Sequence, residues 1–191
     1  MEAAEEILDS IKGELLENAL LAEDFPEVCV PIRAIDNKPG RARSQTHSGQ
    51  PTRAVWRNAV VVFPTIEGSA ASGAVIRVRA RDKAHGLKFQ HPSGAKIRPD
   101  FFLADDIQSD ESAASPAQVQ KQLRLILKSW VRLSGHHKRM AGVVLGTIIE
   151  PDDVMDQLTN PMLRRFAAWR KRRIPMVREW SSAHDEFWLG E

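Results

Sequence analysis

Four apolar residues, Phe101 to Ala104, run directly into two adjacent acids, Asp105 and Asp106. A short apolar run bounded by turn residues is the mark of a strand buried on both faces, the kind that builds parallel sheets. Open α/β sheets place their ligands at the carboxyl ends of such strands. In nucleotide-hydrolysing proteins, acids at that edge let one carboxylate hold Mg²⁺ while a second polarises a water. A second apolar run begins at Ala141 and ends in Gly146 and Thr147. Two buried strands that both end in polar residues predict one shared site. A simpler reading stands beside it, because Asp favours turns and helix caps wherever a strand ends.

The pattern on either side agrees with an α/β class. Ser115-Pro116-Ala117-Gln118 has the form of a capping box with Pro in the first helical position. The helix that follows carries Val119, Leu123, Ile126, Leu127, Trp130 and Leu133 on one face and is expected to end near Gly135. A strand over 140–149 comes next, and Pro151-Asp152-Asp153 opens a short helix through Leu158. A last helix is predicted from Pro161 to about Arg172, with Leu163, Phe166, Ala167 and Trp169 as its apolar side. Strand, helix, strand implies a right-handed crossover between the two long strands.

Upstream, residues 3–21 place Ile7, Leu8, Ile11 and Leu15 at helical spacing with acids opposite. Residues 36–53 hold four Pro or Gly and almost nothing apolar, which predicts a mobile loop. Three strand candidates follow: Val55-Trp56, Ala59 to Phe63 and Ala74 to Ala80. The last alternates with period two and so reads as half exposed and antiparallel or at an edge.

Composition excludes more than it selects. The 191 residues fit one domain, or one with an appended piece, and 42% hydrophobic content is enough for a packed core. A net charge of +2 is not that of a general polyanion binder. The charge is uneven, with acids gathered in residues 2–27 and a basic cluster of Arg164, Arg165, Arg170, Lys171, Arg172 and Arg173. That cluster has the chemistry to touch nucleic-acid phosphates, and a solvated helix face is its ordinary alternative. The single cysteine, Cys29, can form no internal disulfide and fits the role of a small buried hydrophobe in a reducing cytosol. No apolar run is long enough to span a membrane. His136 and His137 are adjacent on a turn with no third metal ligand in view. The acids Asp105, Asp106, Asp110 and Glu111 suit a two-metal nuclease only if neighbouring strands add carboxylates. No Gly-x-x-x-x-Gly-Lys-Ser/Thr occurs anywhere in the chain.

Taken in order, the segments resemble the large subunit of the bacteriophage terminase, the motor that packages DNA into capsids. AEEILDSIKGELLENALLAEDFPEV resembles the helix and acidic turn after the second core strand of its ATPase domain. SGAVIRVRARDKAHGLKF resembles the Gly-containing segment ahead of the acidic strand, and RPDFFLADDIQSDESAASPAQ resembles the Walker B region with its following helix start. GTIIEPDDVMDQL resembles the coupling motif, and WRKRRIPMVREW with FWLGE resembles the linker leading out of the domain. The ordered set spans nearly the whole chain.

The resemblance implies a partial P-loop NTPase core of the ASCE type, a mostly parallel sheet flanked by helices, over residues 1–160. Residues 161–191 would be a helix and linker toward a nuclease domain. Asp105 takes the place of the Mg²⁺-holding acid, Asp106 that of the catalytic acid, and Gly146 with Thr147 that of the γ-phosphate sensor. ATP and Mg²⁺ are the implied cofactors. Double-stranded DNA (with Arg170, Lys171, Arg172 and Arg173 as weak candidate contacts), the terminase small subunit and the portal protein are the implied partners, in the cytoplasm of a bacterial host. The chain departs from the family in lacking the phosphate-binding loop and the nuclease domain, and in having His85 before Gly86 where arginine is expected. It is therefore expected to be an internal fragment, from a prophage remnant or a split gene. Either a second chain supplies the Walker A loop, or the fragment is an inactive remnant or interaction module.

Overall fold

The computed structural model describes residues 2–80, 83, 87–135, 138 and 140–175. The chain divides into two compact units, one of Met1–Phe102 with Leu125–Gly142 and one of Leu103–Arg124 with Val143–Glu191. The class is mixed α and β.

The first unit opens with helices α1 (Glu2–Glu17), α2 (Ala19–Asp24), α3 (Pro26–Ile35) and α4 (Pro39–Ser44). The expected apolar stripe of α1 is narrower than the spacing suggests: Leu8 and Leu15 are buried, Ile11 is half-buried, and Ile7 is exposed. Positions 8, 11 and 15 stack on one face, which leaves Ile7 on the flank. The helix stops at Asn18, whose side chain accepts from the Leu21 N–H at 3.0 Å and starts α2. In α3, Val28, Cys29, Ile32 and Ile35 face the core. Burial pushes the Cys29 thiol above its ordinary pKa, which is the inert condition expected of it.

Residues 36–53 are not the loop that their composition predicts. They form α4 and a hairpin of β1 (Thr46–His47) and β2 (Gln50–Pro51). Ala42 is buried, the Gln45 side chain donates to the Pro31 carbonyl at 2.6 Å, and fully buried Thr52 hydrogen-bonds back to Gln45. One apolar anchor and a part-buried polar pair order the segment, and neither registers as hydrophobic patterning.

Strands β3 (Val55–Arg57), β4 (Val60–Val62) and β5 (Val75–Arg77) form an antiparallel meander in that order. β4 and β5 fall within the expected segments and β3 runs one residue past Trp56, to Arg57; β5 is half-buried throughout. Trp56 and Val61 join Leu8, Leu15, Val28, Ile32 and Ile35 in the core of this unit. A short hairpin follows, β6 (Phe89–Gln90) with β7 (Lys96–Ile97).

The acid-tipped run is β8 (Phe101–Ala104); α5 (Asp110–Ala113), α6 (Pro116–Lys128) and β9 (Ala141–Val144) follow. Helix α6 buries Val119, Leu123 and Ile126, and a 3₁₀ turn at Trp130–Arg132 continues it toward Gly135. In the first unit the Phe102 ring meets Trp130 edge-on, with centroids 5.8 Å apart. β8 and β9 are paired and parallel. The Ala141 N–H donates to Asp100 and the Leu145 N–H to Ala104, so both partners advance together along the chain. In place of one mostly parallel sheet, the described residues form four small sheets, and β8–β9 is the parallel one.

After α7 (Val154–Thr159), the predicted helix from Pro161 to Arg172 is absent; a single 3₁₀ turn at Arg164–Phe166 stands in its place. Phe166 is fully buried, but Ala167 is exposed and Leu163 and Trp169 are only half-buried. One anchor does not bury a helix face, and six cations within ten residues repel one another along it. The pair His136-His137, the residues His85 and Gly86, and the linker beyond Pro175 lie outside the described residues. Among the described residues, no helix is long and apolar enough to cross a membrane.

Candidate functional site

The four residues singled out by the strand pattern, Asp105, Asp106, Gly146 and Thr147, all belong to the second unit. The parallel pairing carries them to the same end of β8 and β9. Its last backbone bonds are Leu145 N–H to Ala104 at 2.8 Å and Asp106 N–H to Leu145 at 3.2 Å. Beyond Ala104, Asp106 takes a left-handed conformation with φ of 45°. Asp tolerates that region better than most residues do, because its short side chain bonds locally. Asp105 and Asp106 are both exposed. A Cβ on Gly146 would stand 3.1 Å from Met155 Cγ and Sδ, so α7 crowds that position and favours the smallest residue.

Two residues that the pattern did not mark tie the strand ends together. Gln108 is buried, and its Nε2 donates to the Thr147 carbonyl at 3.0 Å and to Asp153 Oδ2 at 2.7 Å. Its Oε1 accepts from the Val154 N–H at 3.0 Å. Asp153, the N-cap of α7, is fully buried. Its Oδ2 also accepts from the N–H groups of Ile149 at 2.7 Å and Glu150 at 3.0 Å, and its Oδ1 from that of Asp156 at 2.8 Å. Burial pushes the carboxyl pKa upward, but the hydrogen bonds from Asp156, Glu150, Ile149 and Gln108 together outweigh it, and the net shift is downward. The motif Pro151-Asp152-Asp153 signalled the cap correctly; nothing adjacent to Gln108 marked it as the partner.

The basic cluster divides. Arg173 donates from Nη2 to Asp156 Oδ1 at 2.6 Å and from Nε to Thr159 Oγ1 at 2.8 Å, and Lys171 Nζ donates to the Asn160 carbonyl at 2.7 Å. These two cations close the C-terminal end of α7, where the helix dipole favours positive charge. They line a cavity of about 460 Å³ with Asp156, Thr159, Asn160 and Pro161. Arg165 bonds Gln157 and lies over the Phe166 ring. Arg170 and Arg172 are exposed.

Chemically, the strand ends offer exposed carboxylate oxygens, donors that suit a hard cation such as Mg²⁺. Among the described residues no three His, Cys, Asp or Glu side chains are grouped to hold a metal. Asp110 and Glu111, in α5, therefore do not complete a carboxylate cage with Asp105 and Asp106. One or two carboxylates suffice for Mg²⁺ when substrate phosphates supply the remaining ligands. Comparison with protein-family models, with curated proteins and with solved structures finds no match to this chain.

Proposed function

We propose that this chain is a segment of a phage terminase large-subunit ATPase, in which Asp105 holds the Mg²⁺ of Mg²⁺·ATP and Asp106 polarises the attacking water. Gly146 and Thr147 would read the γ-phosphate. The observation that carries this reading is the parallel pairing of β8 and β9, which puts the acids and Thr147 at one strand edge. ATP itself needs more than these residues offer. Phosphoryl transfer depends on positioning and electrostatic stabilisation, and the sequence contains no glycine-rich loop with its lysine to cradle the β- and γ-phosphates. On this reading the cradle comes from outside these 191 residues, and DNA, the small subunit and the portal engage the assembled motor.

The missing cradle equally favours a second reading, a non-enzymatic remnant that keeps the strand pair without catalysis. Calorimetric titration of the chain with Mg²⁺ tests the metal assignment. Weak binding to the wild type that is lost in Asp105→Asn is expected; binding that survives the substitution would remove Asp105 from its role.

A further inference from the structure

We infer that Gln108 is a positioning residue that sets Thr147 beside Asp105 and Asp106, an inference that rests on the metal-site reading above. Among the described residues, the last backbone bonds between the two strand ends both involve Leu145. Thr147 lies beyond it, after a glycine that imposes little conformational restraint of its own. The Gln108 side chain reaches across at that point and holds the Thr147 carbonyl at 3.0 Å.

The amide is locked in one orientation. Its carbonyl faces the Val154 N–H at 3.0 Å and its NH₂ faces the Asp153 carboxylate at 2.7 Å. A flip would set donor against donor at Val154 and acceptor against acceptor at Asp153, inside a buried site where neither group finds water. Asp153 and Val154 thus fix the amide, and its remaining donor capacity goes to Thr147. Because Gln108 follows Asp106 by two residues, the same short segment carries both the two acids and the tether to the opposite strand end.

The test uses the full ¹⁵N-labelled chain with Mn²⁺ as the probe, since paramagnetic broadening of amide signals falls steeply with distance from the ion. In the wild type, broadening is expected at residues 105–106 and 146–148 together, and Asp105→Asn should abolish both. In Gln108→Met, broadening at 105–106 should persist while that at 146–148 falls severalfold. Ser109→Ala removes the cap of α5 but leaves the tether, and it should reproduce the wild-type pattern. If the methionine variant does not fold, Gln108→Glu, which keeps the acceptor for Val154, takes its place. An unchanged ratio between the two segments would overturn the positioning role and leave the metal reading standing. No broadening at 105–106 in the wild type would overturn the metal reading instead. The tether is then judged by the exchange rate of the Val154 amide, expected to rise about tenfold in the variant; an unchanged rate would overturn it too.

Discussion

Replacing Asp153 by alanine should destabilise the second unit more than any other polar substitution there. The side chain is fully buried and accepts four hydrogen bonds, three of them at Oδ2 from Ile149, Glu150 and Gln108, and one at Oδ1 from Asp156. Loss of the helix cap costs about 1 kcal/mol. A buried donor left without an acceptor costs about 1–3 kcal/mol. Glu150 is exposed and can turn its N–H to water, whereas Gln108 is buried and Ile149 half-buried. With Gln108 as the one fully buried donor, the sum for Asp153→Ala is about 2–4 kcal/mol. Asp153→Asn should cost less, about 1–2 kcal/mol, because an amide oxygen at the Oδ2 position keeps three of the four bonds and sacrifices only the one from Asp156. The amide signals of α7, followed through a urea titration, measure both losses without assuming that the two units unfold together. A loss below about 1 kcal/mol for the alanine variant, or a larger loss for asparagine than for alanine, would refute this account of the hub.

The same carboxylate sets a pH dependence. Its folded-state pKa lies below its unfolded value, so its contribution is complete above the unfolded value of about 4 and disappears as pH falls through the folded one; urea midpoints of α7 should fall in that acid window for the wild type and much less for Asp153→Asn. Gly142→Ala should cost about 1–3 kcal/mol, since a Cβ there overlaps the Phe102 ring and forces it off Trp130; an unchanged urea midpoint of the first unit would show that the ring has room to move. Leu103 and Val143, on strands whose composition suits burial on both faces, and Leu145 just past the end of β9, are 55%, 40% and 50% exposed. Sedimentation of the chain should consequently depend on concentration, and Leu145→Lys should weaken that dependence; a concentration-independent monomer would show that this face is tolerated in water.

The sequence pattern was most legible where apolar residues repeat. The run from Phe101 to Ala104 and the one after Met140 became the parallel pair, although Phe101, Leu103 and Val143 are exposed where burial on both faces was expected; Val119, Leu123 and Ile126 became the buried side of α6, and the three valine-rich segments became the meander. Polar cores were harder to see. The order in residues 36–53 comes from Ala42, Gln45 and Thr52, and the tie between the strand ends comes from Gln108, residues whose role depends on neighbours far away in the chain. The predicted C-terminal helix failed for the opposite reason. Leu163, Phe166 and Trp169 have suitable spacing, but only Phe166 is fully buried, and spacing without a surface to pack against does not hold a helix.

The proposal to be tested is that Asp105 serves an ATPase site whose phosphate cradle lies outside these 191 residues. Its most direct test is Mg²⁺-dependent ATP hydrolysis, measured on the purified chain alone and mixed with the product of the reading frame upstream of its gene, if that product carries Gly-x-x-x-x-Gly-Lys-Ser/Thr. The chain alone should show no turnover, and the mixture should hydrolyse ATP in a way that Asp105→Ala abolishes. Turnover by the chain alone, or turnover in the mixture that survives Asp105→Ala, would contradict it.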